Sequence, residues 1–390
     1  MTKIGIVTAT RAEYGLLSPV IKKLDQNPCF DVRVVATGAH LSPEFGLTYR
    51  EIEKDKIEID QKIEILMSSD TPVSISKSMG LAMISFAEYF DRTNPDMLMV
   101  LGDRYETLAV CCAAMNAQIP IAHLYGGETT EGAIDESIRH AITKMSYLHF
   151  TSTEEYRRRV IQLGETPERV FKVGAMGVEN ILSMEFLSKE ALEASIAFKL
   201  DNPYAVVTFH PVTLEKNQVE QQFDDLLSAC DTHPEMQFIF TKANSDAHGR
   251  IINQMIDDYA RNHENAIAFE SLGMLRYLSA LKYAQMVIGN SSSGLIEVPS
   301  FHIPTINIGD RQKGRIQGET VINCAPEKDA ILHAMNQANA PDFRLSIQNA
   351  VNPYGDGKTS DKMIEVITDF LMNDRVDLKK KFYDIEVLNV

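Results

Sequence analysis

The 390-residue chain lacks any apolar run long enough to span a bilayer, and its first apolar strand starts at Ile4, so no signal peptide fits. It lacks an excess of positive charge. Its 38 Lys and Arg stand against 54 Asp and Glu, and the formal net charge of −16 argues against a nucleic-acid or anionic-membrane surface, though a local basic pocket remains compatible. It lacks paired cysteines: Cys29, Cys111, Cys112, Cys230 and Cys324 contain no C-x-x-C spacing, and Cys111-Cys112 falls in an apolar helical pattern. These read as buried thiols of a reducing compartment. It lacks low-complexity segments, short-period repeats, and the H-E-x-x-H and Gly-x-Gly-x-x-Gly signatures of a catalytic zinc or a dinucleotide cofactor. A cytoplasmic protein without metal or cofactor is the expectation, and at this length two domains.

What is present is organised around residues 286–315. Met286-Val287-Ile288 is an apolar run of the kind that forms a buried parallel strand. Gly289-Asn290 turns the chain, and Ser291-Ser292-Ser293-Gly294 leads into a helical pattern through Leu295 and Val298. Strand, small-residue turn and helix together aim unpaired N–H groups at one point, which suits a phosphate. Glu297, one turn in, suits ribose hydroxyls. An ordinary Ser-capped helix fits the same residues. A second strand over 303–308 ends in Gly309-Asp310-Arg311.

Taken in order, residues 3–8 form a strand that runs into Thr10-Arg11-Ala12-Glu13-Tyr14-Gly15 and an amphipathic helix through Leu16, Leu17, Val20, Ile21 and Leu24. Arg11 at that turn either reaches a phosphate or pairs with Glu13; position admits both. Residues 31–37 are a second strand, 51–69 one strand with loops, and 75–90 a helix. The strand over 97–101 delivers Gly102-Asp103-Arg104, and the strand over 119–124 delivers Tyr125-Gly126-Gly127-Glu128. Asp135 opens a helix with acids in its first turn. In an open parallel sheet, ligands sit beyond strand C-termini. Asp103, Glu128 and Asp135 therefore gather near one place, where carboxylates raise each other's pKa and suit proton abstraction. Asp135 also fits a plain helix-terminal acid, and His123 a satisfied core histidine. Strands over 147–152 and 170–177 follow, with a helix over 154–163 between them and a domain boundary near 174–179. The second half repeats the alternation: strand 204–210, helix 215–230, strand 236–242, helix 251–262, strand 266–269, helix 274–283. His210-Pro211 and Lys242, Asn244 and Ser245 stand at strand ends, and residues 364–371 form a last helix.

Together these stretches, with Phe209-His210-Pro211 and Gly289 through Gln312, resemble the hydrolysing UDP-N-acetylglucosamine 2-epimerases over nearly the whole chain, most of all the bacterial members that make N-acetylmannosamine for sialic acid. The resemblance implies an α/β GT-B fold: two Rossmann-like domains with parallel sheets facing across a cleft, and a last helix crossing back to the first. The domains expected are 1–175 with the acid cluster, 176–360 for UDP, and 361–390 as a helix and tail packing back on the first. It implies Asp103, Glu128, Asp135 and His210 as catalytic. Arg11, Arg104, His123, Lys242, Asn244, Ser291, Ser292, Ser293, Gly294, Glu297 and Arg311 become substrate contacts. Many relatives carry Glu where Tyr125 stands, so the identity of the C2 base stays open.

The mechanism so implied is anti elimination of UDP, loss of the C2 proton to a carboxylate, and hydration of 2-acetamidoglucal to N-acetylmannosamine. The same pattern fits a hydrolysing epimerase of UDP-2,4-diacetamido-2,4,6-trideoxyglucose, of the legionaminic acid route. A GT-B glycosyltransferase has no use for the acid cluster, and a non-catalytic UDP-sugar sensor has no need to keep it. The partners expected are the UDP-sugar, UDP and a second copy in a homodimer or homotetramer, with no nucleic acid and no membrane.

Overall fold

The computed structural model describes residues 1–67, 71–129, 134–211, 219–243 and 249–385. Among them the chain forms two parallel sheets. The first contains β1 Thr2–Thr8, β2 Phe30–Thr37, β3 Ile59–Ile63, β4 Met97–Leu101, β5 Ile121–Leu124, β6 Leu148–Thr151 and β7 Val170–Lys172, in the order β3-β2-β1-β4-β5-β6-β7. The second contains β8 Tyr204–Thr208, β9 Gln237–Thr241, β10 Ala266–Phe269, β11 Met286–Gly289, β12 Thr305–Ile308 and β13 Val321–Cys324, in the order β10-β9-β8-β11-β12-β13. Helices cover both faces of each sheet, which is why β4 and β8 are buried at every residue and read as continuous apolar runs rather than alternating ones. Two apolar layers sandwich each sheet. In the first they are built on Leu17, Val20, Met99 and Phe370 on one side and Val35, Phe86, Val100 and Ile142 on the other. In the second, Val207, Phe223 and Ile306 oppose Leu192, Ile239 and Leu281. Strand order reverses between β1 and β4, and again between β8 and β11, the points where doubly wound sheets open a crevice for ligands.

The chain divides into two compact units, Met1–Asn180 with Tyr354–Val390, and Ile181–Pro353. The expected divisions after 175 and after 360 differ by a few residues, for a local reason. Ala175 N–H donates to Tyr354 O at 2.7 Å, and Glu179 accepts from Lys23 Nζ at 3.0 Å and from Ser360 N–H at 2.6 Å. Asn180 Nδ2 donates to Gly15 O at 2.9 Å. Those bonds hold both chain crossings to the first unit. Helix Thr359–Met372 then buries Met363, Ile367 and Phe370 in the same core.

Several expectations need correction. Residues 51–69 are not one strand with loops: a helix, Tyr49–Lys54, precedes the strand Ile59–Ile63. The strand expected over 170–177 stops at Lys172. Gly174 takes φ +100°, and helix Met176–Ser183 begins at once. The helix expected from 215 is described from Val219; the residues before it lie outside the described ones. The thiols are not all buried, since Cys29 is exposed at the turn before β2 and Cys112 and Cys324 are half-buried. Among the described residues no helix is long and apolar enough to cross a membrane, and no group of His, Cys, Asp and Glu is arranged to hold a metal ion.

Candidate active site

In the first unit β4 and β5 run in register, Leu101 opposite Leu124, so both deliver their loops at the same edge. The β4 exit carries Asp103 and Arg104, the β5 exit carries Tyr125 to Glu128, and helix Ile134–Met145 presents Asp135 in its first turn. One residue ties both loops to that helix. Arg139, on that helix and only 3% exposed, donates through Nη1 to Glu128 O at 2.8 Å and to Glu136 Oε2 at 2.7 Å, and through Nη2 to the Asp103 carboxylate. Glu128 Oε1 in turn accepts from Ser152 Oγ at 2.9 Å. The loop between them is tight. Gly127 takes φ +79°, with the Tyr156 carbonyl where a Cβ would stand, so glycine is required there. Tyr125 takes φ 68°, and its hydroxyl accepts from Met176 N–H at 2.8 Å.

Burial, and then the like charge of Asp103, push the Asp135 carboxyl above the usual range, against the pull of Arg104 and Arg139. A carboxylate so raised accepts protons more readily than a solvated one. His123 is fully buried: Nε2 pairs with Gly102 O at 2.8 Å and Nδ1 with Thr143 Oγ1 at 3.3 Å, and burial lowers its pKa to about 3. It is a neutral ring that holds the β4 exit. Arg11 pairs with Glu51, Nε to Oε1 2.9 Å, and both are exposed; it does not pair with Glu13, which instead closes a capping box with Thr10.

In the second unit β8 and β11 are in register, Thr208 opposite Gly289, which brings the chain just beyond each strand side by side. Gly289 takes φ +137° and lies flat on the Thr208 backbone, where any Cβ would collide. Asn290, 1% exposed, then clamps His210 from both sides: Oδ1 accepts from His210 N–H at 2.7 Å, and Nδ2 donates to His210 O at 2.8 Å. The Asn290 carbonyl accepts from Arg311 Nη1 at 3.1 Å and Gln312 Nε2 at 2.9 Å. So His210, Arg311 and the serine turn are assembled around one asparagine.

The helix after that turn is short, Ser293–Ile296, and passes into a 3-10 turn, Val298–Phe301. The expected macrodipole is correspondingly weak. What the turn offers is donors: the N–H groups of Ser291 and Ser292 have no acceptor among the described residues, whereas those of Ser293, Gly294 and Leu295 do. Glu297 accepts from Ser293 Oγ, which accepts in turn from Tyr277 Oη at 2.9 Å. Desolvation raises the Glu297 carboxyl against that hydrogen bond.

Lys242 follows β9 directly, with its ammonium 2.9 Å from Asp257 and 2.8 Å from Glu270. Asn244 and Ser245 lie outside the described residues. Sequence reasoning assigned no role to Arg139, Asn290 or Tyr277. Arg139 had a readable signal, a basic residue one turn after Asp135 on the helix it opens. Asn290 and Tyr277 act through partners distant in sequence, and no local pattern marks them.

The family model for UDP-N-acetylglucosamine 2-epimerase matches residues 22–368. The chain is 47% identical over 322 residues to GDP/UDP-N,N'-diacetylbacillosamine 2-epimerase (hydrolyzing) of Campylobacter jejuni, across 82% of this chain and 84% of that protein. It is 41% identical over 392 residues to polysialic acid biosynthesis protein P7 of Escherichia coli, across 99% and 98%. In fold it is similar to UDP-GlcNAc 2-epimerase from Neisseria meningitidis bound to UDP-GlcNAc, with a TM-score of 0.77 at 19% identity over 94% of this chain and 100% of that one.

Proposed function

The chain belongs to the UDP-N-acetylglucosamine 2-epimerase family and is an enzyme of the hydrolysing 2-epimerase type, and from that premise we propose that it cleaves a UDP-2-acetamido sugar to UDP and the free 2-epimer. The observation that carries this reading is the buried Arg139, which ties the Asp103 carboxylate and the Glu128 backbone to the helix that presents Asp135, whose carboxyl is pushed up by burial and by the charge of Asp103. A carboxylate of this group removes the C2 proton. The C1–O bond breaks with its electron pair leaving on UDP, and a C1=C2 double bond forms. Water then supplies hydroxide to C1 and a proton to C2 from the opposite face, which inverts C2. His210, Arg311 and the Ser291 and Ser292 N–H groups meet the diphosphate, where negative charge grows as the bond breaks. Glu297, oriented by Ser293 and Tyr277, accepts from ribose hydroxyls. We assign Arg11 and Arg104 to the substrate's phosphate groups. The reaction needs no redox cofactor.

As substrate, UDP-2,4-diacetamido-2,4,6-trideoxyglucose, the diacetylbacillosamine nucleotide, is favoured by the 47% relative. UDP-N-acetylglucosamine, which yields N-acetylmannosamine for sialic acid, is the second candidate and has the support of the 41% relative, matched along 99% of this chain. The enzyme works in the cytoplasm as a homodimer or homotetramer, which light scattering on the purified protein checks. Incubation with each nucleotide sugar in D₂O, followed by NMR, decides the reaction. Free UDP, a free manno-configured sugar and deuterium at C2 are expected with one substrate. An equilibrium mixture of two intact UDP-sugars, or product without deuterium at C2, refutes the reading.

A further inference from the structure

Beneath Arg104 lies a carboxylate pair that this reaction does not use. Glu13 closes the capping box of helix Arg11–Asp25: Oε2 accepts from Ala9 N–H at 2.7 Å and Thr10 N–H at 3.3 Å. Glu106, in the first turn of helix Tyr105–Asn116, accepts from Arg104 Nε at 2.5 Å through Oε1. Each carboxylate has a second oxygen, Glu13 Oε1 and Glu106 Oε2, that is buried with no hydrogen-bond partner among the described residues. The side chains are 9% and 2% exposed, and both line one small cavity of about 10 Å³ walled by Val7, Ala9, Val100 and Val110 and by the threonines Thr37 and Thr107. That is close to the room one ordered water requires. Arg104 Nε stands 3.9 Å from Glu13 Oε1, so a single guanidinium faces two carboxylates.

Two ionised carboxylates beside one cation would leave a net negative charge in a buried pocket, and neither orphaned oxygen could satisfy the other, because both only accept. One proton resolves both difficulties. It cancels the surplus charge and turns one acceptor into a donor, directly or through a single water. Burial agrees with this, raising the Glu13 carboxyl to about 7, with the charge of Glu106 adding to the shift. The other groups around the pair are Tyr105 beside Arg104, Asp135 on helix Ile134–Met145, and His40, whose N–H donates to Ala9 O and whose ring burial keeps neutral, at about 4.

We propose that Glu13 and Glu106 share one proton across this cavity and that the shared proton positions Arg104 for the substrate. While it is held, Glu106 alone balances Arg104, and the guanidinium stays on the loop that carries Asp103. When it is lost, the second negative charge draws Arg104 inward. The proposal rests on Arg104 meeting the substrate's diphosphate, as in the function proposed above.

Two measurements separate this from a purely structural role. Infrared spectroscopy of the whole enzyme below neutral pH should show a carboxylic-acid carbonyl band that disappears in Glu13→Gln and shifts in Glu106→Gln. The band needs no substrate, so it stands or falls independently of the enzyme's activity. Kinetically, wild-type KM for the UDP-sugar should climb as pH rises above about 7, by at most about tenfold per unit for one proton. In Glu13→Gln, whose amide imitates the protonated carboxyl, KM should stay flat while Glu13→Ala raises it at every pH. Absence of the band, or an unchanged KM profile in Glu13→Gln, overturns the proposal. Should Glu13→Gln fail to fold, Glu106→Gln is read instead: a band that keeps its wild-type frequency, or a wild-type KM profile, overturns the proposal.

Discussion

The two units share a doubly wound plan and equip their strand ends in opposite ways. In the first, the loops after β4 and β5 gather carboxylates and guanidinium groups, with Asp103 on Arg139, Glu106 on Arg104, and Asp135 raised between them. In the second, the loops after β8 and β11 offer amide and hydroxyl groups around Asn290, with Arg311 exposed at the rim and Glu297 as the carboxylate. Charges held by one another in a half-buried place shift in pKa and move protons. Backbone donors do not titrate, and they bind an anion at any pH. On the proposed function the first unit carries the proton chemistry and the second most of the anion recognition, and mutations of Asp135 and Glu297 should separate kcat from binding along the same line.

The largest effect is expected in the first unit. Asp135→Asn should cut turnover by about 10²–10⁴ while UDP affinity by calorimetry holds, the scale on which general acid–base groups contribute. Asp103→Asn should follow it, and Glu128→Gln discriminates: a comparable loss makes Glu128 the C2 base, a mild one leaves the base among the aspartates. Because Asp135 titrates above the ordinary aspartate range, activity should fall on the acid side at a higher pH than a solvated carboxylate would give. Next comes Arg139→Met, which leaves Asp103 without its buried partner and should cost about 3–5 kcal/mol, read from the denaturant midpoint. Wild-type stability in that variant would mean the arginine is not what holds the cluster.

In the second unit, away from the groups that meet the leaving diphosphate, the comparison predicts a binding loss without loss of chemistry. Glu297→Ala should weaken UDP by about 1–3 kcal/mol in calorimetry, the worth of hydrogen bonds to a charged group; unchanged affinity in a folded variant removes Glu297 from the site. The smallest effect concerns two buried carboxylates of the first unit with opposite surroundings. Glu165, 1% exposed, has Lys144 at 2.6 Å, Lys380 at 2.7 Å and His149 at 3.1 Å, and these hold it down to about 2 against its burial. Its stabilisation is complete above its ordinary value of 4.5 and is lost as pH falls toward 2. Glu13, raised to about 7, behaves in reverse: its contribution is complete below 4.5 and is lost as pH rises through 7. Thermal melts across pH should lose the acid-side slope in Glu165→Gln and the neutral-side slope in Glu13→Gln. Identical profiles for the two variants would erase the contrast.

Much of the architecture was legible because strands buried on both faces announce themselves as apolar runs: Met97–Leu101 and Tyr204–Thr208 need no partner to be recognised. The elements that escaped carry weaker patterns. Val321–Cys324 alternates burial at the sheet edge, and the short helix Lys189–Ile196 buries only three positions. In the candidate site, loops after strands were foreseeable from sequence alternation, and so were the positions of Asp103 after β4, of Asp135 at a helix start and of the serine turn after β11. The bonds that organise them were not. Asn290 reaches His210 across 80 residues, and Lys242 spends its charge on Asp257 and Glu270 rather than standing open.

The return of Tyr354–Val390 to the first unit also governs how the molecule is made. When residues 1–180 have left the ribosome, Leu17, Val20 and Leu24 still wait for Met363, Ile367 and Phe370, and the whole of Ile181–Pro353 must be synthesised first. At about 5–20 residues per second that wait lasts roughly 10–35 s. The contiguous second unit therefore has everything it needs to fold before the first one does, so the usual order from N-terminus to C-terminus is inverted. During that interval an apolar helix face is open to chaperones and to other nascent chains. A ribosome that stops near residue 353 releases a finished second unit joined to a first unit that cannot close.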